Sequence, residues 1–88
     1  MAEMTFTVSN KLGLHARPAA LLVQTANRFQ SAIKVSKGTV QVDGKSIMGI
    51  LMLAAESGAS LVISASGPDE QSALVELDRL FQRKFDED

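Results

Sequence analysis

The sequence predicts an α+β fold in which helices cover one face of an antiparallel sheet. Segments with two-residue hydrophobic alternation are interleaved with segments of helical spacing, in the order β-α-β-β-α-β-α. The second and third strands, 32–37 and 39–42, are separated only by Gly38, so we expect a hairpin, whose strands are antiparallel. The joints between elements are short turns, and we therefore expect residues 1–88 to form a single domain.

The first and last strands are predicted from the same alternation. Residues 4–9 alternate apolar and polar side chains at β-branched or aromatic positions, which favours a half-buried strand. Residues 60–66 place leucine, isoleucine and alanine on one face, before Gly67-Pro68 turns the chain. The sheet is therefore expected to contain four strands.

Three segments have helical spacing. The first spans 16–29, and Pro18 suits its first turn because the N–H that proline lacks would have no helical partner there. The second, 47–55, is apolar almost throughout, and the third begins after Asp69, an expected N-cap. The buried stripe of the third helix is predicted at Ala73, Leu74, Leu77, Leu80 and Phe81. We expect the chain from Phe85 onward to fray.

Composition and charge exclude several classes of function. The net charge is −1 and there is no tyrosine or tryptophan, which argues against a nucleic-acid or anionic-membrane partner. The chain has no cysteine and one histidine, so disulfides, thiolate sites and multi-histidine metal sites are excluded within one chain. The absence of cysteine, of a signal peptide and of an apolar run of transmembrane length predicts a cytoplasmic protein. We expect no metal and no cofactor.

The single histidine lies in Gly13-Leu14-His15-Ala16-Arg17-Pro18, where a glycine bend is followed at once by a helix start. Unpaired N–H groups at a helix N-terminus favour an anion, and imidazole is a nucleophile at neutral pH. His15 is therefore predicted to take and give a phosphoryl group. The N–H groups of Ala16 and Arg17, with the Arg17 guanidinium, would hold the phosphoryl oxygens. A surface or capping histidine is the competing interpretation, although histidine is not a preferred N-cap.

Ser46 directly precedes the second helix, in the segment Lys45-Ser46-Ile47-Met48-Gly49. It is expected to be an N-cap, and it could also carry a phosphate, which a helix N-terminus tolerates. A short helix buries only part of its circumference. We expect Ile50 and Leu53 inside, and Ile47, Met48 and Leu51 at least partly exposed. An exposed apolar patch with methionine suits partner docking, although core packing would explain the same residues.

These two motifs resemble those of the HPr family, the histidine-containing phosphocarriers of the phosphoenolpyruvate-dependent sugar phosphotransferase system. Residues Gly13–Ala19 are similar to the family's active-site signature, and Lys45–Gly49 to its regulatory-serine segment. The similarity extends over nearly the whole chain. It implies an open-faced β-sandwich, with a four-stranded antiparallel sheet covered on one face by three helices.

The resemblance implies a phosphoryl carrier that is itself modified in each cycle, and not an enzyme. His15 would accept phosphate on Nδ1 from phosphorylated enzyme I and pass it to an enzyme IIA domain, assisted by Arg17. Ser46 would be the target of an HPr kinase/phosphorylase, and its phosphorylated form would bind a transcriptional regulator. The implied docking surface comprises Leu14, Ala16, Ala20, Leu21, Gln24, Ile47, Met48 and Leu51. A monomer is expected.

Alternative functions remain open. The lead-in 10–13 and the acidic ending resemble the nitrogen-related branch of the family, which relays phosphate for regulation, whereas the intact Ser46 segment is typical of a serine-regulated carrier. Position 12 is usually small or polar in the family and is Leu12 here, which offers no hydrogen bond to a phosphohistidine. The alternative from another class is an inert α+β binding module in which His15 is only a helix cap.

Overall fold

The computed structural model describes residues 1–87, and the elements in this range follow the predicted order. The strands are β1 (Ala2–Thr7), β2 (Ala32–Lys37), β3 (Val40–Asp43) and β4 (Ser60–Ser66). The helices are α1 (Ala16–Ala26), α2 (Ile47–Met52) and α3 (Glu70–Gln82), and a short 3₁₀ turn follows at Lys84–Asp86. No helix within residues 1–87 has both the length and the apolar character needed to cross a membrane.

The strands form an antiparallel sheet in the order β1-β4-β2-β3. In its register Phe6 lies opposite Leu61, and Ile63 lies opposite Val35. These side chains are buried on the face that carries the helices, and the residues between them alternate to the other face. The predicted open-faced sandwich is therefore confirmed.

The helices bury the apolar stripe that their sequence spacing predicts. The stripe of α3 is buried in full, at Ala73, Leu74, Leu77, Leu80 and Phe81. α3 packs against β1, β4 and α1, while α1 also packs against α2. In α2, Ile50 and Leu53 are buried as expected. The first helix is thus held between the other two, and its N-terminus opens at the end of the loop that follows β1.

Several predicted boundaries are wrong by one to three residues. β1 covers 2–7 instead of 4–9, because its pairing with β4 begins at Ala2 opposite Ala65. β3 begins at Val40, and α1 ends at Ala26, beyond which the backbone continues as tighter turns. α2 ends at Met52, since Ala54 has a left-handed backbone with φ of 50° that an α-helix cannot include.

Asp69 is the N-cap residue of α3, as expected, but its side chain makes no capping hydrogen bond. Its carboxylate instead accepts hydrogen bonds from the backbone N–H groups of Gln30 and Ser31 and from the Ser31 hydroxyl. The Ser31 hydroxyl and these N–H groups lower the pKa of Asp69. The side chain of this N-cap residue therefore joins the segment before α3 to the segment before β2.

The expectation that the chain frays from Phe85 is wrong. Phe85 is fully buried, and its ring packs edge-on against Phe81, with ring centroids 4.8 Å apart. The backbone there adopts a 3₁₀ turn, in which Asp86 N–H donates to the carbonyl of Arg83. The last residue of the expected frayed end, Asp88, lies outside the described residues.

Candidate functional site

The loop before α1 fixes the position of His15. Gly13 has φ of +70°, and a Cβ at this position would collide with the carbonyl oxygen of Ala55. The N–H of Leu14 donates to that carbonyl at 2.8 Å, and the N–H of Gly13 donates to the carbonyl of Asn10 at 3.0 Å. Leu14 itself is buried in the core. A glycine is required here because the backbone passes close to the segment after α2 in a left-handed conformation.

His15 is the N-cap residue of α1, with an extended backbone (φ −77°, ψ −171°). Its carbonyl accepts the first helical hydrogen bond, from Ala19 N–H at 3.0 Å, but its side chain makes no capping bond. The side chain is 37% exposed. The imidazole therefore stands at the mouth of the helix without occupying the N–H groups that open there.

The described contacts of the imidazole involve only one of its two nitrogens. Nε2 lies 3.0 Å and 3.3 Å from the two carboxylate oxygens of Glu87. Within residues 1–87, Nδ1 has no hydrogen-bond partner. The ring is thus held from its Nε2 side, and Nδ1 has no contact of this kind in the described part of the chain.

Two cationic side chains, Lys11 and Arg17, lie near the opening of α1, together with the Glu87 carboxylate that contacts His15. Arg17 is exposed, makes no ion pair within residues 1–87, and shares the first turn with no acidic residue. A depression of about 260 Å³ beside the ring is lined by Lys11, Leu12, His15 and Glu87. Cations and free N–H groups at a helix start together form a site suited to an anion. The sequence did not single out Lys11, whose only signal there is a positive charge four positions before His15.

Ser46 is the N-cap of α2, as expected. Its backbone is extended (φ −113°, ψ 118°), and its Oγ accepts a hydrogen bond from Gly49 N–H at 3.1 Å. The side chain of Asn27 donates to the Lys45 carbonyl, and Lys45 Nζ donates to the carbonyl of Phe29. Ser46 is therefore held on a half-buried turn that is fastened to the end of α1.

An exposed apolar patch covers the outer side of α2. Ile47, Met48 and Leu51 are 39%, 66% and 40% exposed, which confirms their expected exposure. Met52 is more exposed still, at 74%, and belongs to the patch although the sequence did not single it out. We call Ile47, Met48, Leu51 and Met52 the α2 patch.

The α1 residues of the expected docking surface are placed unevenly. Ala16 and Gln24 are exposed, and Ala20 and Leu21 are half-buried. Leu14 is the exception, because its side chain packs in the core and supports the loop from within. Since α1 packs against α2, the exposed residues of α1 can extend the α2 patch toward His15.

Two further residues of the site were missed by the sequence reasoning. Glu87 contacts His15, and the buried side chain of Asn10 donates to Glu87 Oε1 at 2.8 Å. The available signal was Phe85, an apolar residue four positions after Phe81 that extends the helix stripe into the acidic ending.

No group of three or more potential metal ligands occurs in the described part of the chain.

Comparisons with known proteins agree with this fold. The sequence model of the family described as "PTS HPr component phosphorylation site" matches residues 2–83. The phosphocarrier protein HPr of Treponema pallidum is 49% identical over 88 residues, covering 100% of both chains. The HPr-like protein Crh of Halalkalibacterium halodurans is 49% identical over 74 residues, covering 84% of this chain and 88% of that protein.

Solved structures are similarly close. HPr-C-His from Thermoanaerobacter tengcongensis superimposes with a TM-score of 0.97 at 49% identity, covering 100% of this chain and 99% of that one. The structure described as an HPr dimer from the same organism has a TM-score of 0.80 at 49% identity and covers 99% of this chain and 100% of that one.

An open-faced sandwich with a half-exposed histidine at the mouth of its first helix defines the class of small phosphocarrier domains. The extent of the family match and the identity to full-length relatives then settle the family. This chain belongs to the HPr family of the phosphotransferase system.

Proposed function

We propose that this protein accepts a phosphoryl group on His15 from phosphorylated enzyme I and passes it to enzyme IIA domains. The observation that carries the proposal is the placement of the imidazole, which caps α1 by its backbone while its side chain leaves the first-turn N–H groups open. A nucleophile at an anion site, half exposed to solvent, suits transfer between two proteins. An inert binding module gives no reason for this arrangement.

The remaining site residues would stabilise the transferred group. The backbone N–H groups of Ala16 and Arg17 belong to the first turn of α1 and have no partner within the helix. The Arg17 guanidinium can hold two phosphoryl oxygens at once, which suits the charge that spreads over them in the transition state. Positioning and charge stabilisation are most of what a protein supplies to such a reaction.

The test is incubation with phosphoenolpyruvate and enzyme I, followed by measurement of acid-labile phosphate. Wild-type protein should be labelled and His15→Ala should not. Arg17→Ala should slow labelling about tenfold or more, because charge-assisted hydrogen bonds contribute about 1.5–3 kcal/mol. Arg28→Ala, which removes an exposed arginine beyond the other end of α1, is the matched control and should label normally. Equal labelling of wild type and His15→Ala would refute the proposal.

We further propose that Ser46 is the substrate of an ATP-dependent HPr kinase/phosphorylase. Its Oγ already accepts a hydrogen bond from Gly49 N–H, so a phosphate on Ser46 would lie at the N-terminus of α2, next to the α2 patch. The added charge of about −1.5 to −2 would oppose docking of an apolar partner surface. Ser46→Asp should therefore slow phosphorylation at His15, whereas Ser72→Asp, at an exposed serine in α3, should not. Equal rates for the two variants would contradict this regulation.

The α2 patch and the exposed residues of α1 are proposed as the docking surface. Met48→Asp places a charge in the patch and should weaken binding to enzyme I and to enzyme IIA domains alike. Val75→Asp alters an exposed apolar residue of α3 and serves as the control. Loss of binding in both variants, or in neither, would count against the assigned surface.

A second candidate is a regulatory carrier that does not serve sugar uptake. It is supported by the similarity to the HPr-like protein Crh. In this role the Ser46-phosphorylated form would bind a transcriptional regulator. Normal phosphorylation at His15 without restored sugar uptake in a carrier-deficient strain would favour this candidate.

We propose that the protein acts as a monomer. Sedimentation at the concentrations used for transfer would test this, and the dimeric structure of the Thermoanaerobacter tengcongensis relative makes a dimer the outcome to look for. A stable dimer would overturn the monomer.

A further inference from the structure

We propose that Glu87 is a positioning residue for phosphoryl transfer, whose carboxylate keeps the proton of His15 on Nε2 and leaves the lone pair on Nδ1. This inference rests on the proposed function and adds to it a residue near the chain end, 72 positions away from His15. It goes beyond the first-turn anion site, since Glu87 acts on the opposite side of the ring from the phosphoryl group.

The carboxylate is held in place from both sides. Its oxygens lie 3.0 Å and 3.3 Å from His15 Nε2, and the side chain of Glu87 is only 19% exposed. The Asn10 side-chain amide donates to Glu87 Oε1 at 2.8 Å and to the carbonyl of Lys84 at 2.7 Å. Asn10 is almost completely buried, so this amide has little freedom to turn away. A buried amide thus aims the carboxylate at one ring nitrogen.

The backbone that carries Glu87 is ordered at a conformational cost. Lys84, Phe85 and Asp86 all have left-handed backbones, with φ of 52°, 55° and 61°. Such conformations are unfavourable for L-residues and persist only where surrounding contacts hold them. Burial of Phe85 and the bond from Glu87 N–H to the Lys84 carbonyl, at 3.0 Å, supply those contacts. These contacts therefore hold Glu87 beside His15.

The chemistry of the transfer gives the contact a role. When Nδ1 attacks the phosphohistidine of the donor protein, the new N–P bond forms as the donor's N–P bond breaks. The electron pair of the broken bond returns to the donor's ring nitrogen, and the Nε2 proton stays on His15. The His15 ring gains positive charge in this step, which the adjacent carboxylate stabilises. When the phosphoryl group then passes to an acceptor, the N–P bond to His15 breaks and its electron pair returns to Nδ1, which leaves a neutral imidazole. Neither step therefore needs a proton transfer.

A purely structural bridge would make a different prediction. If Glu87 only fastened the chain end to the loop at Asn10, its removal would lower stability and leave the His15 tautomer unchanged. If it positions the ring, its removal changes which nitrogen carries the proton. The tautomer therefore separates the two roles, and it can be measured without any partner protein.

The first experiment measures the ring-nitrogen chemical shifts of ¹⁵N-labelled protein at a pH where the ring is neutral. Wild type and Glu87→Gln, whose amide oxygen can still accept from Nε2–H, should keep the Nε2–H tautomer. Glu87→Ala should raise the ratio of Nδ1–H to Nε2–H roughly three- to tenfold, in proportion to a lost hydrogen bond of ordinary strength. Asp86→Asn, the matched control, removes one charge from the same turn and should match wild type.

The second experiment measures the rate of phosphorylation by phosphorylated enzyme I in the same four proteins. Glu87→Ala should be slowed roughly three- to tenfold, Glu87→Gln less, and Asp86→Asn not at all. A wild-type tautomer and rate in Glu87→Ala, or an equal effect of Asp86→Asn, would overturn the inference. Failure of wild type to accept phosphate would instead refute the proposed function, while the tautomer measurement would still test the contact.

Discussion

Replacing Phe85 by alanine removes the side chain that fastens the C-terminal segment to the core. Phe85 is fully buried, and its ring meets Phe81 edge-on, with ring centroids 4.8 Å apart. Phe81 in turn stacks on Phe6 of β1, with ring centroids 4.6 Å apart. The substitution therefore removes one end of a row of three rings that joins the chain end, α3 and the sheet.

The expected loss of unfolding free energy is about 3–5 kcal/mol, the range for truncating a buried phenylalanine. The transfer of the side chain out of water accounts for about 1.5–3 kcal/mol of it. The lost aromatic contact with Phe81 adds about 0.5–1.5 kcal/mol, and the cavity left behind accounts for the rest. Against a total stability of about 5–15 kcal/mol, typical of small domains, this is a large fraction.

Urea denaturation followed by far-UV circular dichroism measures the change, since the chain has no tryptophan or tyrosine for fluorescence. Lys84→Ala is the matched control, because Lys84 is exposed, shares the left-handed turn, and keeps its backbone carbonyl in place for Asn10. It should change stability by no more than about 0.5 kcal/mol. A loss below about 1 kcal/mol in Phe85→Ala would show that the chain end frays and would refute the reasoning.

Three further substitutions probe contacts that hold the connecting segments of the fold in place. Gly13→Ala should lower the unfolding free energy by at least about 1 kcal/mol more than Gly38→Ala in urea titrations. Both glycines have positive φ, but only at position 13 would a Cβ strike another backbone. Lys37→Met should cost about 0.5–1.5 kcal/mol, because its ammonium donates to two carbonyls at the end of α2. Asp69→Asn should flatten the loss of stability below about pH 4. The pKa of Asp69 is lowered by the Ser31 hydroxyl and backbone N–H groups, so this carboxylate stabilises the fold above its unfolded pKa and less as the pH falls.

Each of these expectations has a contradicting result. Equal losses for Gly13→Ala and Gly38→Ala would mean that the loop moves aside from α2. An unchanged midpoint for Lys37→Met would mean that water serves the two carbonyls equally well. Parallel stability profiles of wild type and Asp69→Asn, measured from pH 7 to pH 3, would show that the carboxylate does not support the fold.

Most of the fold was predictable because its signals are local and mutually consistent. The alternation at 32–37 and 60–66 gives strands with the observed bounds, and the stripe of α3 matches its buried residues one for one. The boundary errors arise where tertiary contacts decide. α2 ends early because the backbone turns left-handed at Ala54, and no periodicity in the sequence reports that turn.

The candidate site was predictable only in the part that is contiguous in sequence. His15, Arg17 and the N–H groups of one helix start occupy a single motif, so helix geometry alone brings them together. The Glu87 contact joins residues at opposite ends of the chain. It depends on the burial of Phe85 and on the side chain of Asn10. A rule that expects an acidic chain end to fray predicts neither of these contacts.

The site holds the imidazole firmly on one side and leaves the other side open. The backbone N-cap and the Glu87 carboxylate fix His15, whereas Nδ1 has no partner and Arg17 has no ion pair within residues 1–87. In the proposed transfer, His15 has to offer the same nitrogen to a donor and to an acceptor of different shape. A fixed nucleophile would lower the entropic cost of alignment in both encounters, while the exposed Arg17 guanidinium would follow the oxygens of the transferred group from one partner to the other. The fold therefore has to specify the orientation of the ring and not a closed pocket, which is why so small a sheet-and-helix scaffold is sufficient.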